Sequence, residues 1–182
     1  MKEFIMLAPK GGVGKSTLVE CFRQYLGNAE VVDLDPQRTL SIALEMLGTP
    51  LSPPKKDYRL YDTPPYNDES LRPIMAKVDH IIIPSKLGYP DLIALRTIYD
   101  SLIATKTIDK AILVFNEVRK PLTTEEKKII ECYSANYKNL RQAKTLLSRL
   151  DGFLRVFRTP LKGKSLEQIK ALVNEILNLQ CK

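Results

Sequence analysis

The chain has 182 residues, 44% of them hydrophobic and 27% charged, a length that suits one domain and a composition that excludes disorder, collagen and low-complexity repeats. No apolar run approaches the ~20 residues that cross a bilayer, and the N-terminus lacks a secretory apolar stretch of ~7 to 15 residues, so a cytoplasmic protein is expected. The formal net charge of +7 is uneven, −1 over residues 1–91 and +8 over 92–182, which points to a polyanion-facing or merely solubilising surface on the C-terminal half.

In chain order, residues 4–8 form a short apolar run that predicts a buried strand, followed by a glycine-rich turn and a helical pattern over 16–26 that stops at Gly27 and Asn28. Further strands are predicted at 31–34, 58–61, 80–83, 111–115 and 154–157, with helices at 40–47, 92–103 and 166–179. Two more helices are predicted within 123–150, where Thr123 with Glu126 reads as a capping box, 134–136 as a break and Gly152 as a C-terminal cap. Alternating strands and helices predict an α/β fold, a parallel sheet flanked by helices, with 1–182 as a single domain. Cys21, Cys132 and Cys181 stand far apart with no CxxC spacing, so reduced cysteines buried as small hydrophobes are expected rather than a zinc or iron-sulfur site. His80, alone at a strand edge, reads as structural.

The strongest chemical signal is Lys10, Gly11, Gly12, Val13, Gly14, Lys15, Ser16 and Thr17, placed after the first strand and opening the first helix. That is the context of a phosphate-binding loop: glycines allow close backbone approach, and successive N–H groups with a helix N-terminus point at negative charge. Lys15 is the candidate for the β and γ phosphates of a nucleotide, Ser16 for Mg²⁺ and Thr17 for the α-phosphate. The common GxxxxGK[ST] pattern fails because residue 9 is proline, and the match is instead to the deviant form KGGxGK[ST], with the extra lysine Lys10.

With this loop, the segment Val31, Val32, Asp33, Leu34, Asp35, Pro36, Gln37, and the segment Tyr61, Asp62, Thr63, Pro64, Pro65, the chain resembles the ParA/MinD family of deviant Walker A ATPases. The likeness covers roughly residues 1–116. It implies ATP with Mg²⁺ as ligands, an ATP-dependent homodimer in which Lys10 reaches the nucleotide of the other copy, Asp35 as the residue that activates the attacking water, and Asp33 and Asp62 as acidic positions assisting Mg²⁺. Asn116, at a strand end, and Pro160, in the loop after the last strand, are candidates for the adenine.

The resemblance is nearest to small partition ATPases that bind DNA without sequence preference. Lys138, Arg141 and Lys144 at i, i+3, i+6 of a predicted helix would form a cationic face, with Arg158, Lys162 and Lys164 close by in sequence. No helix-turn-helix precedes the loop, so sequence recognition and stimulation of hydrolysis are expected of a separate centromere-binding adaptor, with the ATPase associated with the nucleoid. The alternatives are a MinD-like membrane-positioning protein and an ATPase that positions a protein cargo. The apolar stripe of residues 166–177 reads better as core packing than as a membrane anchor, so no membrane partner is expected.

Overall fold

The computed structural model describes residues 1–65 and 69–179. Six strands, β1 (Lys2–Met6), β2 (Ala29–Asp33), β3 (Tyr58–Asp62), β4 (His80–Ser85), β5 (Ala111–Phe115) and β6 (Arg141–Gln142), form one sheet in the order β2-β3-β1-β4-β5-β6. Every pairing is parallel. Parallel neighbours require crossovers, which are supplied by α1 (Lys15–Leu26), α2 (Thr39–Met46), α3 (Arg72–Lys77), α4 (Tyr89–Ala104) and α5 (Thr124–Asn136), and the chain closes with α6 (Asp151–Leu154) and α7 (Gly163–Leu177).

The apolar runs of β4 and β5 are continuous because both faces of the sheet are covered there. Phe4, Met6, Ile82, Ile112 and Val114 point into one core with Phe22 of α1 and Ile169, Leu172 and Val173 of α7. Their alternating neighbours Ile5, Leu7, Ile81, Ile83, Leu113 and Phe115 point into a second with Met75, Ile98, Leu102 and Tyr133. α7 is therefore a core helix, with Ile169, Leu172, Val173 and Ile176 fully buried. No helix among the described residues is long and apolar enough to cross a membrane.

The expected strands over the first 115 residues are all present, as is the Thr123–Glu126 capping box opening α5. Cys21 is a buried free thiol and Cys132 a half-buried one, while Cys181 lies outside the described residues. Three expectations in the C-terminal third are corrected. Only one helix occupies 123–150: α5 ends at Asn136 and the chain then adds β6 at the sheet edge. Residues 154–157 are not a strand; Arg155, Arg158 and Thr159 donate backbone bonds to residues three or four earlier, continuing the helical turn of α6. Gly152 does not end a helix but lies inside α6, where a Cβ would run into the Ser165 side chain of α7.

Candidate functional site

The glycine-rich loop of residues 10–17 lies at the C-terminal end of β1, between β3 and β4, where an open parallel sheet exposes strand ends to ligands. Gly12 and Gly14 have φ of +71° and +96°, a region that L side chains avoid. Gly14 is the N-cap of α1 and accepts from the Leu18 N–H at 2.9 Å. A Cβ on Gly14 would collide with the Asn116 amide. That amide donates to the Val13 carbonyl at 2.9 Å, while its oxygen accepts the Glu117 N–H at 2.9 Å. Asn116 thus braces the loop with one amide N–H and its oxygen.

Lys15, the first residue of α1, is only 6% exposed. Burial pulls its ammonium below the usual lysine range, against the opposing pull of Asp62 and Asp35. Asp62, the last residue of β3, is 1% exposed. Burial pushes its carboxyl up to about 6; a hydrogen bond with Ser16 and the charge of Lys15 lower it, and Asp33 and Asp35 raise it. Its Oδ1 is buried with no hydrogen-bond partner. Thr63 locks the strand end by donating to the Met6 carbonyl at 2.6 Å.

Such an orphaned carboxylate oxygen beside the Ser16 hydroxyl fits a hard cation held jointly with phosphate oxygens. Among the described residues no group of three or more His, Cys, Asp or Glu could hold a metal alone, so phosphate oxygens and water would have to complete the coordination. Asp33, directly across from Asp62 in register, is occupied otherwise: its carboxylate accepts from Asp35 and Ser41. Asp35 accepts the Gln37 N–H at 2.9 Å in a tight turn.

Lys10, 38% exposed at the start of the loop, ion-pairs at 3.7 Å with Asp91 in the first turn of α4. Gly11 faces Pro65. On the far side of the loop a cleft of about 140 Å³, the size of a single heterocyclic base, is lined by Gly14, Thr17, Asn116, Arg149, Phe153 and Phe157 among others. Phe153 and Phe157 could not be found from sequence as cleft residues, because the surrounding pattern reads as a strand. Pro160 lines a different cavity of about 500 Å³ with Glu20, Arg23 and Arg158.

The six basic candidates fall into two groups. Arg141, on β6, pairs with Ile112 near the start of β5, and its charge acts on His80, the first residue of β4, so it lies at the N-terminal edge of the sheet. Lys144 follows, its N–H bonded to Glu175 at 2.7 Å, and Lys138 precedes on the same connection. With no helix beneath them, these three do not form the expected face. Lys162 and Lys164 line one cavity with Asp151 and Pro160, and Arg158 borders the neighbouring one. All three side chains are exposed.

No protein-family model matches the sequence, and no curated protein matches it. Solved structures do. The plasmid partition protein BB_S35 of Borrelia burgdorferi, solved with AMPPNP bound, superposes with a TM-score of 0.78 at 17% identity over 97% of this chain and 98% of that one. A single-residue variant of McdA from Cyanothece, in its ATP complex, gives 0.76 at 15% identity, covering 99% and 97%. MinD cell division protein from the MinC:MinD complex of Aquifex aeolicus gives 0.77 at 11%, covering 100% and 98%. The chain has the α/β fold of the ParA/MinD-type ATPases, along its whole described length.

Proposed function

We propose that this chain is a ParA-type partition ATPase, a member of the deviant Walker A family, that binds ATP with Mg²⁺, dimerises on it, and holds DNA without sequence preference until an adaptor stimulates hydrolysis. The observation that carries this reading is the meeting, at the C-terminal strand ends, of a glycine loop with a buried lysine and a buried carboxylate whose oxygen has no partner. The fold shared with a plasmid partition protein bound to AMPPNP and with a McdA variant in complex with ATP supports it.

In this reading the backbone N–H groups of Gly11 to Ser16 and the α1 N-terminus cradle the phosphates, and Lys15 neutralises the β and γ groups. Ser16 and Asp62 would hold Mg²⁺, which when bound offsets charge on the transferring phosphoryl group. Asp35 orients and deprotonates the attacking water. The base enters the cleft beside Thr17, where the phenyl rings of Phe153 and Phe157 offer stacking surfaces; Asn116 holds the loop that borders it, and Pro160 is left without a base contact. Lys10 leaves Asp91 to reach the nucleotide of a second copy, placing another cation against the γ-phosphate in a site closed to water. Arg158, Lys162 and Lys164 form the DNA-facing group on this side of the molecule, and the nucleoid is the expected location.

A MinD-like membrane role is less well supported, because the apolar stripe of α7 is already buried against α1 and the sheet. The test is DNA retardation by the full chain with ADP, ATP and a slowly hydrolysed analogue across a salt series, alongside size measurement and vesicle co-sedimentation. ATP and analogue should each produce a dimer and a shift that weakens steeply with salt. Lipid binding without DNA retardation, or a monomer in every nucleotide, overturns the proposal.

A further inference from the structure

Ser41 carries no recognised motif and is 3% exposed, in the first turn of α2. Its N–H and its hydroxyl both donate to Asp33 Oδ2, at 2.9 and 2.8 Å, while the other oxygen of the same carboxylate accepts the Asp35 N–H at 3.1 Å. The first turn of a helix leaves N–H groups without partners, which a side chain at the N-cap usually satisfies. Here the N-cap is Arg38, in the left-handed region at φ 50° with no capping side chain. The distant carboxylate of Asp33, fixed at the end of β2, does the capping instead. One rigid group therefore ties the start of α2 and the backbone of Asp35 to the sheet. Between these ties the chain makes a tight turn, with Gln37 N–H on the Asp35 carboxylate and Arg38 N–H on the Asp35 carbonyl.

We propose that Asp33 and Ser41 are a positioning pair for Asp35: Ser41 locks the Asp33 carboxylate, and the locked carboxylate holds Asp35 in the orientation that a water-activating group needs. This rests on the reading of Asp35 given above. Neither residue touches the reacting atoms. A carboxylate that is already a helix cap and a backbone tether is held in one orientation by three donors, which fixes the angle of the next acidic residue, Asp35, two positions on. General-base chemistry is sensitive to that angle, whereas phosphate binding, which depends on the loop between β1 and α1 and on α1 itself, is not.

The experiment is single-turnover hydrolysis of radiolabelled Mg²⁺-ATP by the full chain, with nucleotide affinity and melting temperature measured on the same preparations. Ser41→Ala keeps the backbone bond and the charge but loses the hydroxyl, and should slow the chemical step about tenfold while ATP affinity stays within about twofold. Ser41→Thr, which restores a hydroxyl, should recover most of the rate. Asp33→Asn cuts an acceptor from the clamp and decides the matter if the alanine variant does not fold. It should show the same loss of rate with an unchanged Mg²⁺ concentration for half-maximal hydrolysis. A wild-type rate in Ser41→Ala, or a fall in rate matched by an equal fall in affinity, overturns the positioning role. Asp35→Ala run in parallel separates the two readings: if it hydrolyses like wild type, the assignment of Asp35 fails, whereas an inactive Asp35→Ala beside an unaffected Ser41→Ala sinks the clamp alone.

Discussion

At the N-terminal ends of three adjacent strands, Glu30 of β2, Arg59 of β3 and Glu3 of β1 stand side by side in register, whereas at the opposite ends of the same strands the row reads Asp33, Asp62, Met6. In the first row Arg59 bonds Glu30 at 2.7 Å and Glu3 at 2.9 Å, and Lys56 adds a bond to Glu30 at 2.6 Å. Hydrogen bonds from Lys56 and then Arg59 hold the Glu30 carboxyl down at about 2. In the second row two carboxylates face one another, one with a raised affinity for its proton and an oxygen left unpaired. The same ladder thus carries a satisfied end that stabilises the fold and an end with an unpaired carboxylate oxygen, which a cation would complete.

The largest effect should come from closing the unsatisfied end. Gly14→Ala would drive a methyl group into the Asn116 amide and force an L side chain to φ 96°, displacing the loop. ATP affinity should drop on the order of 100-fold in a fluorescent-nucleotide titration, with the folded state retained because Gly14 belongs to neither hydrophobic core. Unchanged affinity would mean that the loop is not the phosphate cradle.

Comparable in size is a gain of stability. A carboxyl raised from 3.8 to about 6 binds more protons folded than unfolded between those values, so stability falls as pH rises through that window and the cost is complete above it. Asp62→Asn, neutral throughout, should therefore be more stable than wild type at pH 7.5, by up to about 3 kcal/mol, with the advantage gone at pH 4. Chemical denaturation at the two pH values checks this. A variant less stable at pH 7.5 would show that Asp62 is better satisfied than its lone oxygen indicates.

Much of this asymmetry can be read in the sequence. The C-terminal end of the strands is encoded locally: apolar runs of strand length, stopped by proline, aspartate or asparagine, and a loop whose residue types specify its backbone. The placement of Lys15, Asp35 and Asp62 at one end of the sheet is legible because chemistry and secondary structure change at the same point. Ser41 is not, since its bonds run to a residue eight positions earlier. The region after Asn136 misleads for a similar reason. Leu140, Leu146, Leu147 and Leu150 look helical in spacing, yet the chain there is extended, and its backbone is held by distant side chains. Glu175 accepts from Lys144 and Thr145, Gln168 bonds both the backbone and hydroxyl of Ser148, and Gln24 receives the Leu161 N–H. Such side-chain-to-backbone bonds leave no period in a sequence. Asn116 stands out for its place at a strand end, but its amide serves the loop, a distinction that only the direction of its hydrogen bonds supplies.

The smallest effect belongs to the satisfied end. Glu30 is depressed from 4.5 to about 2, so the unfolded chain takes up its proton first as the solution is acidified. The contribution is fully present above about 4.5 and lost as pH falls toward 2. The ladder is partly exposed, with side chains at 14% for Glu30 and 30% for Arg59, and solvent screening keeps the net value near ~1 kcal/mol, well below what the depressed titration alone would suggest. Glu30→Gln should lower stability by that amount at pH 7 and by almost nothing near pH 2, and 1 M salt should shrink the difference at neutral pH because the pairs are screened. ATP affinity should not change, since the ladder and the phosphate loop occupy opposite ends of the sheet. A Glu30→Gln protein that lost nucleotide binding would break the division between the two ends and make the ladder part of the site.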